Sequence, residues 1–418
     1  MHLNIKYRIL FFALISASFC ASSQEFVKEA QVKCTESLVR EVSSQSWMVY
    51  SYHYGMSVFS LVNEYGTIAP TLQLPLLYHV SDMEIYNDTV YFCGYIDSAL
   101  NTALFGYFSI ASFPSMTVRC LQLAGLNTFN KMEIFCHDGK PHVVLTGIMN
   151  KYHPFLADAI TTTSNSWLFS VSSSANDNWD IYDDVAITDN YIVVTSRIFD
   201  YDTGYVHYFN KPPTYSSMFP YHFLYRTIQY NPTSSILITA CDEDKFATLC
   251  KIGTNTFVMS KYNFMNDVVS LKSGMLDVEC RDINFNNNAK EVEVLLYSSL
   301  VKNGAGITLH YDNAIMGSSM IPAHSFERND LSSIDYLSFD PNLFVASGHL
   351  SKDELLRLYR YKYDEWFHCT GEKTIESNKI DNNYNSFKKD FAPQLIDGEA
   401  VETQCTVDEA VVSTICEY

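Results

Sequence analysis

The apolar positions of this chain follow one layout that returns seven times. An alternating apolar pair is followed by a tight turn, an unbroken apolar run, a polar loop and a third, often Tyr-rich, segment. Residues 80–110 are the clearest copy, with Met83 and Ile85, a turn at Tyr86-Asn87-Asp88, an apolar run over 90–94 and a last segment over 103–110. Alternation with period 2 is the pattern of a half-buried strand, and a continuous short run that of a strand buried on both faces. Asn, Asp, Gly and Pro supply the turns because they tolerate or preset the backbone angles required. Helical periodicity is almost absent.

The other copies span 47–62, 132–147, 185–195, 228–240, 283–297 and 336–348. Their turns are His53-Tyr54-Gly55, His137-Asp138-Gly139, Thr188-Asp189-Asn190, Asn231-Pro232-Thr233, Asn286-Asn287-Asn288 and Asp340-Pro341-Asn342. The first apolar positions fall at 42, 83, 132, 185, 228, 283 and 337. A period of about 40–55 residues with three or four strands per unit resembles the β-propeller repeat proteins. That resemblance implies an all-β, antiparallel β-propeller over residues 24–370, with seven blades, or six and a shared ring-closing strand. A pair of β-sandwiches is the competing arrangement, but it would not produce one recurring strand–turn–strand unit. The resemblance is one of architecture: the Trp-Asp ending of WD-repeat blades occurs once, at Trp179-Asp180, and the kelch and YWTD motifs are missing.

The ends differ from the repeat. Lys6 and Arg8 precede an apolar run over 9–19 and the small residues Cys20-Ala21-Ser22-Ser23, the layout of a secretory signal peptide cleaved after residue 23. The apolar run is shorter than the roughly 20 residues that span a bilayer, and no later segment is apolar enough to do so. Residues 371–398 read as a polar linker rich in Asn, Lys, Ser and Glu, and 399–418 as a short Cys-containing segment able to dock or close the ring. The signal's style and a single Asn-X-Thr acceptor, Asn87-Asp88-Thr89, suggest a bacterial exported protein, periplasmic, cell-surface or secreted.

Charge and cysteines narrow the partners. Without Lys6 and Arg8 the chain carries 26 bases against 47 acids. Such acidity repels nucleic acid and anionic lipid. Ten cysteines remain after Cys20 is lost, an even number that permits disulfides in an exported chain. Cys241 with Cys250 flank a short acidic loop and are expected to face each other across a hairpin; Cys405 with Cys416 are a second local pair.

Chemistry-bearing motifs are scarce. No GxSxG, GxxxxGK[ST], HExxH or GxGxxG occurs, no zinc-spaced Cys/His cluster is present, and no cofactor is called for. Asp200-Tyr201-Asp202-Thr203-Gly204 reads as a hairpin turn rather than half a calcium loop. Asp242-Glu243-Asp244, Asp183-Asp184 and Asp364-Glu365 read as solvated acidic positions. The remaining lead is aromatic: Trp167 and Trp179, then Tyr215, Phe219, Tyr221 and His222 in a proline-flanked loop, where an exposed ring can stack on a sugar or anchor a protein. The expected function is therefore a non-catalytic binding propeller for a glycan, peptide or envelope protein. The alternative is a propeller-fold, glycoside-active hydrolase or lyase with acids meeting at the central channel. A convergent charged cluster in the channel favours the enzyme, and an aromatic, uncharged face favours binding.

Overall fold

The computed structural model describes residues 26–417 apart from single residues, short gaps and longer stretches at 98–101, 162–166, 174–179, 199–202, 212–222, 229–234, 252–255, 263–266, 273–277, 287–290, 299–302, 311–318, 363–370 and 380–385. In several strands only the backbone is described. The expected signal peptide, residues 1–23, lies outside the described residues.

Among the described residues the chain is almost entirely antiparallel strand. β1 (Phe26–Lys33) comes first. The first meander then runs through β2 (Glu36–Ser43), β3 (Ser46–His53), β4 (Met56–Asn63) and β5 (Thr71–Gln73). The second runs through β6 (Tyr78–Tyr86), β7 (Thr89–Ile96), β8 (Thr102–Ser109) and β9 (Val118–Leu123). The third comprises β10 (Leu126–His137), β11 (Lys140–Met149), β12 (His153–Thr161) and β13 (Trp167–Ser173). The fourth comprises β14 (Asp180–Ile187), β15 (Tyr191–Ile198), β16 (Thr203–Asn210) and β17 (Phe223–Ile228). The fifth holds β18 (Leu237–Ala240), β19 (Phe246–Lys251), β20 (Thr256–Tyr262) and β21 (Asp267–Lys272). The sixth holds β22 (Val278–Asn286), β23 (Glu291–Ser298), β24 (Asn303–His310) and β25 (Ser319–Glu327). The last is β26 (Asn329–Leu337), β27 (Asp340–Leu350) and β28 (Leu355–Lys362), completed by β1, which pairs with β28.

The first strand of each meander contacts the first strand of the next, and the series closes from β26 back to β2. These strands line a centre and the sheets radiate from it: the protein is a β-propeller. The second strands explain why the apolar runs are unbroken. Met48 and Tyr50 of β3 pack towards the second meander with Val90 and Phe92 of β7, while Trp47 and Val49 pack towards the last one with Val345, Leu356 and Leu358. Tyr91 and Cys93 turn the other way, onto Met132, Val143 and Leu145. Period 2 persists, but both faces are buried, each large apolar side chain being worth about 1.5–3 kcal/mol.

Two copies read from the sequence are out of phase with the sheets. Residues 47–62 are the second and third strands of their meander, β3 and β4. Ile228, read as opening the fifth copy, ends β17 of the fourth, and the fifth meander begins at β18. Alternation around a turn looks the same at any pair of neighbouring strands, so the local pattern does not say which strand is innermost.

Residues 371–398 are a correction: they are not a linker. β29 (Gly371–Lys379) pairs with both β21 and β25 and so joins the fifth and sixth meanders into one nine-stranded sheet. β30 (Ser386–Lys389) pairs with β17 and β31 (Ala392–Asp397) with β13. β32 (Glu399–Thr403) pairs with β9, β33 (Thr406–Asp408) with β5, and β34 (Val412–Glu417) with β1. Strands β29–β34 thus circle the propeller against the order of the meanders, covering the outer edge of each meander. Pairing here is by main-chain hydrogen bonds, for which side-chain hydropathy carries no signal.

The Cys241–Cys250 disulfide is also corrected. The β18–β19 register sets Ala240 opposite Phe246, and the Cys241 N–H donates to the Lys245 carbonyl at 2.8 Å. Cys250 therefore lies several residues along β19, across from Val258 of β20, and no disulfide joins the two. Cys405 lies outside the described residues, and of Cys416 only the backbone is described, opposite Val27.

Candidate functional site

The innermost strands carry bulges, and these build the channel. Pairing shifts by one residue between Val80 and Asp82, Phe129 and Lys131, Tyr182 and Asp184, Cys280 and Asp282, and Leu331 and Ser333. A bulge re-aims the side chain it carries. Three of the five sit opposite a glycine of the second strand: Gly94 faces Val80, Gly147 faces Phe129 and Gly348 faces Leu331. At Gly94 the reason is steric, since a Cβ there would stand 1.9 Å from the His79 carbonyl oxygen.

The result is a cavity of about 230 Å³ lined by Asp82, Glu84, Glu133, Asp184, Asp282 and Asp335, with Arg40 and Lys131 as its cations. Asn284, Thr239, Val185, Ile238 and Ile283 complete the wall. Most of the aspartates hold the ring together. Asp82 accepts from the N–H groups of Met83 (3.0 Å) and of Met132 in the next meander (3.1 Å). Asp184 repeats this with Val185 and Ile238, both at 2.9 Å. Asp282 accepts from Ile283 N–H and from the Ser333 hydroxyl, each at 3.0 Å. Ser333 in turn accepts from Val39 N–H at 3.3 Å, and Asp335 from Glu41 N–H and Asn284, each at 2.7 Å. A buried carboxylate bonded to backbone donors of two sheets fixes their spacing.

The cations sit among these acids. Arg40 donates through Nε to Glu84 at 2.6 Å and through a terminal nitrogen to Asp82 at 3.2 Å; Lys131 Nζ lies 3.9 Å from Asp82. Burial pulls Lys131 down, but Asp82, Asp184 and Asp282 outweigh it and hold the ammonium above its usual value. Burial is also the main force on the acids. It pushes Glu84 up to about 7 against the opposing pull of Arg40, and Asp184 up to about 7 against Lys131. Glu133 is raised well above the carboxylate range by burial and by Glu84, and it accepts no hydrogen bond from any described residue. Among the described residues no group of three His, Cys, Asp or Glu is placed to hold a metal ion.

These shifts set the pH dependence of stability. Between the ordinary carboxylate range near 4.5 and the folded values near 7, the folded chain holds more protons than the unfolded one, so stability falls as pH rises. His207 acts the other way: burial lowers it from 6.5 to about 3, so stability falls as pH drops through that window. The raised carboxyls, Glu133 and Asp183 added to Glu84 and Asp184, outnumber the one imidazole above the carboxylate range. Urea unfolding is expected to show stability declining from about pH 5 towards pH 8.

The aromatic lead does not meet this site within the described residues. Trp167 opens β13 with its backbone opposite Thr161, and Trp179, Tyr215, Phe219, Tyr221 and His222 lie outside the described residues. Asp183-Asp184 is corrected: both are buried on β14, Asp183 bonded to Arg197 at 2.7 Å and to Ile236 N–H at 3.0 Å. The missed signal was positional. Asp82, Lys131, Asp184 and Asp282 each immediately precede the first apolar position of their copy.

No family model matches the chain, and no curated protein does. Among solved structures, the WD40 domain of SCAP from fission yeast is similar at 6% identity with a TM-score of 0.33, over 85% of this chain and 94% of that chain.

Proposed function

We propose that this protein is an exported binding propeller, for a protein or glycan partner, whose central channel receives a cationic group of that partner. The observation that carries the reading is the channel wall: six carboxyl groups against two cations around about 230 Å³. That volume suits one ammonium or guanidinium group and its stem rather than a folded segment. Four aspartates are committed to neighbouring backbone or side-chain donors, which leaves Glu133 as the carboxyl open to a guest; burial keeps it protonated in the empty channel, and a cation beside it favours the ionised form. Agmatine and putrescine are expected to raise the melting temperature beyond the effect of sodium chloride at equal ionic strength. Glu133→Gln is expected to remove that shift. No difference from sodium chloride in the wild type ends this reading.

The enzyme reading has one observation in its favour. With Glu84 and Asp184 near 7, the channel holds proton-bearing carboxyls beside ionised ones at neutral pH, the division of labour that glycoside hydrolysis uses. Turnover of chromogenic glycosides that Glu84→Gln and Glu133→Gln both abolish would favour it over binding.

A further inference from the structure

One end of the propeller exposes large apolar side chains where the backbone also disfavours them. Tyr54 is 79% exposed, Leu76 65%, Leu77 49% and Met56 39%. Tyr54 and Gly55 form the β3–β4 turn with φ of +43° and +86°, the primed geometry that Asn and Gly fill best. The β6–β7 turn, which also has two residues at positive φ, uses Asn87 and Asp88, at +47° and +56°. Leu77 is left-handed as well, at φ +72°. Such strain persists where surrounding contacts hold it. Here they do: Leu77 N–H donates to the Gly55 carbonyl at 2.9 Å, and Asp97 N–H donates to the Leu77 carbonyl at 2.8 Å. Two residues after Leu77, His79 stacks on Tyr95 at 4.7 Å, meets Tyr52 edge-on at 4.5 Å and contacts Glu36 at 3.0 Å. The apolar tips thus stand on a rigid, hydrogen-bonded base.

The strand ends and loops at this end also place Glu36, Asp97 and Glu354 near the tips, with Lys33 the described base at the end of β1. We propose that Tyr54, Met56, Leu76 and Leu77 form a docking surface for a protein segment that presents apolar side chains flanked by Lys or Arg. Charge selects this occupant. At a net charge of −19 a second copy of the chain would bring acid onto acid, and an anionic bilayer is repelled in the same way. A basic, apolar segment buries the exposed tips and meets the carboxylates with the opposite sign. This names a partner chemistry for the binding role above, and its failure leaves the channel experiment untouched, because the variant below alters no channel residue.

The test is selection of a phage-displayed library of short peptides on the full chain, with counter-selection on the variant Tyr54→Asn, Leu76→Ser, Leu77→Asn. Asn suits the left-handed positions, so the variant is expected to fold at least as well as the parent, checked by its melting temperature. Recovered peptides are expected to pair Lys or Arg with Leu or aromatic residues. Their synthetic forms should bind the parent at least about tenfold more tightly than the variant, and more weakly as salt rises. Recovery of no preferring peptide, of acidic peptides, or of peptides that bind both proteins equally overturns the proposal. So does self-association, or sedimentation with phosphatidylcholine vesicles, that the variant abolishes while no peptide binds.

Discussion

A chain ended at Thr370 is expected to lose its cooperative thermal transition and to elute from size exclusion as aggregate. β30–β34 supply the outermost strand of the five five-stranded sheets and β29 joins the fifth and sixth meanders, so their removal exposes a row of unpaired N–H and C=O groups on every meander. Each antiparallel hydrogen bond contributes about 0.5–1.5 kcal/mol net. With bonds lost from all the meanders at once, the deficit is of the order of the whole stability of a typical domain, about 5–15 kcal/mol. The loss is graded by position. Ending the chain at Ala410 removes only β34, leaves β1 paired with β28 and keeps the ring closed. That shorter deletion is expected to melt several degrees lower but to remain monomeric. A full-length melting temperature in the Thr370 truncation would show that the encircling strands are passengers.

The contrast between ring and belt shows which parts of this fold are written in side chains. The second strands were legible because burial on both faces demands unbroken apolar runs, as at Val90, Tyr91, Phe92 and Cys93. The turns were legible because Asn87-Asp88 and Gly139 sit at positive φ. The glycines that end several runs also had a meaning: Gly94, Gly147 and Gly348 mark the places opposite the bulges. The belt left no such trace, since β29 and β30 join by main-chain pairing and their polar composition resembles that of a loop.

The channel was only half legible. A charged residue just before an alternating apolar pair looks like an exposed strand end, and Asp183-Asp184 carries the composition of a solvated turn. Its burial follows from closure of the ring, which brings β14 against β18 from a different meander. Spacing along the chain cannot convey that approach, because the partners of Asp184 include Ile238, 54 residues away. The aligned column Asp82, Lys131, Asp184, Asp282 becomes visible once bulges are known to fall there.

The largest single-residue effect is expected at Arg40. Its guanidinium donates to Glu84 and Asp82 in the second meander and to Ser333 in the last, at 3.4 Å, while also capping the Val39 carbonyl at 2.9 Å. Arg40→Met keeps a long apolar stem but leaves two buried carboxyls without their main counter-charge. Breaking one partner of a buried pair costs about 3–5 kcal/mol, because the remaining charge stays desolvated. The cost should depend on pH with a definite sign. Without Arg40 the Glu84 carboxyl rises further above its ordinary value, so below about pH 5 it is protonated and needs no partner. Urea midpoints are therefore expected to separate parent and variant strongly at pH 8 and much less at pH 5. Adding Glu84→Met to Arg40→Met removes the stranded charge and should recover part of the loss at pH 8, with little effect at pH 5. A deficit equal at both pH values, or no recovery in the double variant, would assign Arg40 a packing role and leave the channel's electrostatics to Lys131.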